Sequence, residues 1–199
     1  MSIHLPVNKL SLWQKIAFSA VLLERMLPNY HMFSQAAEFG DPALLRNQLD
    51  LIWQRLDKSQ KIKINYQAQL AKLEAQIPDP EAFDFFGVYP ALDAAMALMS
   101  LLQAMQDNDN DEGFNAVSRL SYNSVSFYLE LMLAQELPED DDTDITDEMI
   151  EQHPLMIWEK EMQNELFDHI KGANETKQTC ETIRNIALSQ RLSNLGIEC

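Results

Sequence analysis

The run YPALDAAMALMSLLQAMQ, Tyr89 to Gln106, decides the fold. It is apolar on almost every side, and Asp93 is the one charged residue between Phe85 and Gln106. A helix with no polar face belongs inside a bundle, wrapped by other helices. Its purely apolar core, such as AAMALM at Ala94–Met99, is far shorter than the ~20 residues of a bilayer span. The segment therefore predicts a central helix in an all-α protein.

Working outward, glycine and proline sit at the edges of helix-like segments. Proline suits the first turn of a helix and glycine the position just past its end. Ser11 caps a first helix that Pro28 ends, and Asn29 caps a short one reaching Phe39, with Gly40 as its stop. Asp41-Pro42 opens a helix to about Asp57, on which Leu45, Leu49, Ile52 and Leu56 recur at three- and four-residue spacing. Asn65 caps the next, to about Gln76, and Asp79-Pro80 starts a short turn. Long helices follow at about Asp111–Ala134 and from Pro154 to Gly172, and Asn174 caps a last one to about Leu192. KIKIN, Lys61–Asn65, alternates like a strand, but one short strand without a partner forms no sheet. The expectation is a single-domain, antiparallel bundle of about seven to nine helices spanning 1–199.

The stretches ERMLPNY (Glu24–Tyr30), FGDP (Phe39–Pro42), LDLIW (Leu49–Trp53) and above all GVYPALDA (Gly87–Ala94) resemble the bacterial YjaG-like family, whose function is uncharacterised. The resemblance is strongest from about Leu12 to Leu98. It implies an all-helical, cytosolic protein and brings no catalytic residue with it.

Composition excludes several classes. With 199 residues and 46% apolar content the chain can bury a core, and with five glycines and eight prolines it is neither fibrous nor disordered. Two cysteines, Cys180 and Cys199, make no disulfide framework and no metal-ligand spacing, and read as reduced thiols of a cytoplasmic protein. The N-terminal MSIHLPVNKLS lacks the basic-then-apolar pattern of an export signal. Fifteen basic and 31 acidic residues give a net charge of −16, which speaks against nucleic-acid binding. Nine of those acids fall between Gln135 and Glu151, so 135–152 reads as an acidic, exposed connection and the remainder carries an ordinary −7.

Six residues form the candidate pocket: Glu24, Arg25, Asn29, Tyr30, Tyr89 and Asp93. Asp93 invites attention because a carboxylate in an apolar helix is costly without a partner. Arg25, a cation in an apolar helix, and Tyr89, one turn earlier, are the partners expected for it. Glu24, Arg25, Asn29 and Tyr30 surround the break at Pro28, although an N-cap role alone accounts for Asn29.

Metal and catalytic signals are weak. Glu161, Glu165 and His169 share one helix face at four-residue steps, a pattern that a solvated, salt-bridged surface explains more cheaply than a metal. DNDNDEG (Asp107–Gly113) has its glycine one position late for a calcium loop. Asp140, Asp142, Asp144 and Glu151 match such a loop at four positions, but Ile145 replaces the glycine of its sharp turn. No metal or cofactor is expected. GxSxG, P-loop and GxGxxG motifs are missing. The reading is therefore a non-enzymatic binding or interaction protein, with a protein partner or a second copy as its target, since two-fold dimers are the commonest oligomers. The alternative is a small-molecule-binding protein or enzyme with a pocket near Arg25, Tyr30, Tyr89 and Asp93.

Overall fold

A computed structural model describes residues 5–107, 111–137 and 144–199. Among these residues there are eight α-helices and no strand, so the all-α expectation holds. The helices are α1 (Leu12–Ala37), α2 (Pro42–Leu56), α3 (Tyr66–Glu74), α4 (Val88–Gln106), α5 (Asp111–Glu136), α6 (Asp147–Gln152), α7 (Pro154–Lys171) and α8 (Lys177–Leu188).

Local chemistry sets most of the starts. The Ser11 side chain accepts from the Gln14 backbone while the Gln14 side chain reaches back to Ser11, a reciprocal capping box. Asp41 accepts from Ala43 and Leu44, with Pro42 as first residue of α2, and Asn65 accepts from Ala68. Asp79 accepts from Glu81 and opens the 3-10 turn Pro80–Ala82. At the last helix the cap is Thr176 rather than Asn174, and the helix ends at Leu188.

Pro28 does not end α1, which runs through it to Ala37 and is 26 residues long in all. A proline inside a helix costs about 3 kcal/mol. Here that cost is outweighed by burial, because α1 is the hub of the bundle and packs against α2, α4, α5, α7 and α8. Asn29 and Tyr30 are therefore buried mid-helix residues, not the start of a new one.

The main core gathers α1, α2, α4, α7 and α8 around Phe18, Leu22, Leu49, Leu98, Leu101 and Phe167. The expected central helix is α4, which packs chiefly on α1 and α5. By length and hydropathy α4 would pass for a membrane-crossing helix, and most of it is buried in the bundle. A smaller core joins α5, α6 and α7 through Val125, Leu129, Ile150 and Met156. It corrects the picture of 135–152 as a wholly exposed connection, because α6 lies within it and buries Ile150. Asp140 and Asp142 lie outside the described residues, as does part of Asp107–Gly113. Glu151 is engaged by the Tyr122 hydroxyl and by Lys160 at 2.7 Å. Glu161, Glu165 and His169 are exposed on α7, as a solvated face requires.

Candidate functional site

The six residues singled out from the sequence fall into three places rather than one. Glu24 and Tyr30 share a cavity. Arg25 and Asn29 lie in a buried polar network. Tyr89 and Asp93 sit on α4 beside α5.

The buried network centres on Arg25, which does not pair with Asp93. Its Nη1 donates to Glu159 Oε2 at 2.6 Å, and both side chains are fully buried. Glu159 Oε1 accepts from Ser121 Oγ at 2.6 Å and from Gln163 Nε2 at 2.7 Å. The Arg25 guanidinium lies 4.6 Å from the Trp158 ring centre, a cation–π contact that stands in for lost hydration. Asn29 donates to Asn194, and Asn194 donates in turn to Ser121. The Asn194 backbone also donates to the Arg25 carbonyl at 3.0 Å, which ties the C-terminal segment to α1. These bonds join α1, α5, α7 and the tail, and Asn29 also lines a second, smaller cavity of about 210 Å³ with Phe33, Phe85 and Leu195.

Asp93 is half-buried and accepts from Ser124 Oγ at 2.5 Å, in place of the expected Arg25 or Tyr89. Burial pushes its carboxyl up to about 6, and the Ser124 hydrogen bond only partly opposes that. Tyr89 is 39% exposed and packs edge-on to Phe127 with ring centres 4.9 Å apart. Because the folded state holds the Asp93 proton more tightly than the unfolded chain, the associated stability is full below about pH 4 and falls as pH rises through about 6. Asp93→Asn keeps an acceptor for Ser124 and carries no charge. It is expected to stabilise the protein by about 1–2 kcal/mol at pH 8 and by almost nothing at pH 4. Urea unfolding at the two pH values measures this, and an equal effect at both would refute it.

The cavity has a volume of about 720 Å³ and lies between α1, the start of α2 and the end of α8. Leu27, Pro28, Pro42, Ala43, Leu45 and Leu188 give it apolar walls, and Glu24, Tyr30, His31, Arg46, Arg191 and Cys199 complete the lining. Pro28 thus faces the cavity at the point where α1 lacks a backbone N–H. Glu24 is 3% exposed at its side chain and is held on several sides. Trp53 Nε1 donates to it at 2.7 Å, Arg46 grips both of its oxygens at 2.6 and 3.1 Å, and Arg184 reaches it at 3.0 Å. Arg46 also binds Asp50 at 2.7 Å. Burial works against the Arg46 charge, and the two carboxylates outweigh it and hold its pKa up. Arg184 lies 5.1 Å from the Trp53 ring centre. Tyr30 is buried and donates to the Gln76 carbonyl at 2.8 Å; burial, helped by the charge of Asp41, pushes its hydroxyl up to about 12.

Arg46, Arg184, Arg191 and Trp53 were not legible as site residues in the sequence. Only the Pro28 break marked the region, and the residues that complete it lie up to 175 positions further on (Glu24 to Cys199).

An all-helical bundle with an ionic pair sealed in its core, and an apolar cavity closed on one side by a second charge cluster, defines the class of protein. The chain belongs to the family described as protein of unknown function (DUF416), which matches residues 2–198. It is 36% identical to the uncharacterised protein YjaG of Escherichia coli K12 and of Salmonella typhimurium, over 98% of this chain and 95% of theirs. An uncharacterised protein of Haemophilus influenzae is 32% identical over 98% of this chain and 96% of its own. A crystal structure of a DUF416 family protein from Shewanella baltica OS155 superposes with a TM-score of 0.83 at 35% identity, covering 99% of this chain and all of that one.

Proposed function

We propose that the protein is a non-enzymatic binding protein whose cavity between α1, α2 and α8 takes a small, largely apolar molecule. The observation that carries this reading is the cavity itself. Its volume of about 720 Å³ falls within the ~300–1,000 Å³ range of ligand pockets, and apolar walls with a few polar groups at the edge are the usual lining. The state of those polar groups favours holding over transforming. Both Glu24 oxygens are occupied by Trp53 and arginines, and the Tyr30 hydroxyl is committed to Gln76.

The test is binding of N-phenyl-1-naphthylamine, a neutral fluorophore that brightens in apolar surroundings. The wild type is expected to bind it with a micromolar Kd, on the order of −8 kcal/mol. Ala43→Trp, at an exposed position on the cavity wall, is expected to weaken binding at least tenfold with helicity unchanged. No fluorescence gain with wild type, or equal gain with the variant, would overturn the reading.

A second reading, self-association, is favoured by the α4 surface. Tyr89 and Met96 stand two turns apart on one face, 39% and 37% exposed. Sedimentation equilibrium tests it. A dimer that Met96→Glu dissociates supports this reading, and a wild-type monomer at 100 µM ends it.

A further inference from the structure

One cation on the cavity wall stands outside the paired charges and points to the ligand. Glu24 and Asp50 balance Arg46 and Arg184, all four joined in one set of contacts. Arg191 is left over. It lines the cavity, is exposed, and pairs with no carboxylate among the described residues. Its position is imposed by the fold. Its backbone N donates to Leu188 at 3.0 Å, its carbonyl accepts from Cys199 at 3.1 Å, and its φ is +52. That turn brings Arg191 into the cavity lining with Leu27, Leu45 and Leu188. In a chain of net charge −16, one uncompensated guanidinium at the edge of an apolar cavity is a local exception.

We propose that the ligand is a monocarboxylic acid with an apolar body, its carboxylate bound by Arg191 and its body seated on Leu27, Pro28, Leu45 and Leu188. This rests on the cavity being a binding site, as argued above. A guanidinium fork matches a planar carboxylate through two parallel N–H donors. A single free cation matches a monoanion in charge. A phosphate monoester brings a second charge, which no further unpaired arginine meets and which the field of an acidic protein repels.

The experiment displaces N-phenyl-1-naphthylamine with three ligands of one chain length: decanoate, 1-decanol and decyl phosphate, on wild type, Arg191→Gln and Arg191→Lys. Arg191 is exposed, and glutamine meets the same backbone requirement as arginine, so the melting temperature of R191Q should match wild type. R191Q is expected to weaken decanoate about tenfold and leave 1-decanol and the fluorophore within twofold, as removal of one charge-assisted contact implies. R191K should recover part of the loss. Decanoate binding unchanged in R191Q overturns the proposal while leaving the cavity reading intact. Decyl phosphate binding wild type more tightly than decanoate overturns the carboxylate assignment. A fluorophore that does not bind wild type at all overturns this proposal together with the cavity reading.

Discussion

Replacing Arg25 with alanine should cost about 3–5 kcal/mol, because it removes one partner of a fully buried ion pair and leaves the other charge behind. Glu159 would keep Ser121 and Gln163 as donors and lose the one cation that contacts it among the described residues. The guanidinium also fills space over Trp158, so the deletion opens a void as well. For a chain of this size such a loss lowers the melting temperature by roughly 6–20 °C, at about 2–4 °C per kcal/mol. The pair itself need not stabilise the fold relative to an apolar filling. The double variant Arg25→Met with Glu159→Leu is therefore expected to lose much less than Arg25→Ala alone, within about 2 kcal/mol of wild type. Chemical denaturation of the single and double variants measures both. A single-variant loss under about 1 kcal/mol is incompatible with a charge left unpaired in the core.

The Arg25–Glu159 contact shows why the fold was easier to read than its polar interior. Arg25 stood out as a cation in an apolar helix. Glu159, however, lies in WEKEMQNE, where it looks like any surface acid, and only the turn of α7 toward α1 distinguishes it from its exposed neighbour Glu161. Arg25 is the expected partner of Asp93 because it is a rare cation in an apolar helix, but rarity in sequence carries no direction in space. Caps are different. Ser11, Asp41, Asn65 and Asp79 act on backbone groups two or three residues away, so their chemistry was legible where it stood. Pro28 shows the limit of local reading, since its preference was overruled by packing on five other helices. The cavity was legible only at Glu24 and Tyr30, next to that proline. Its remaining charged groups come from α2 and the segment after α8, and no periodicity within α1 announces them.

Gly40→Ala should cost about 2–4 kcal/mol, less only than Arg25→Ala, and Tyr30 is the reason. Gly40 has φ +74, a conformation that costs an L-residue about 1 kcal/mol or more. A Cβ added there would lie 2.2 Å from the Tyr30 hydroxyl oxygen and 3.2 Å from its ring carbon. Tyr30 is 1% exposed and has no room to swing away, so the clash must break its hydrogen bond to the Gln76 carbonyl, worth about 1 kcal/mol, and move the aromatic wall of the cavity. The two contributions separate in a double-mutant cycle. Tyr30→Phe alone forfeits the hydrogen bond and is expected to cost about 1 kcal/mol. In that background the offending oxygen is gone, and Gly40→Ala should fall to little more than its backbone cost of about 1 kcal/mol. Equal costs of Gly40→Ala in the tyrosine and phenylalanine backgrounds would show that backbone strain alone sets the price. A reduced cost in the phenylalanine background, together with weaker fluorophore binding in Gly40→Ala alone, would tie the turn at Gly40 directly to the shape of the cavity.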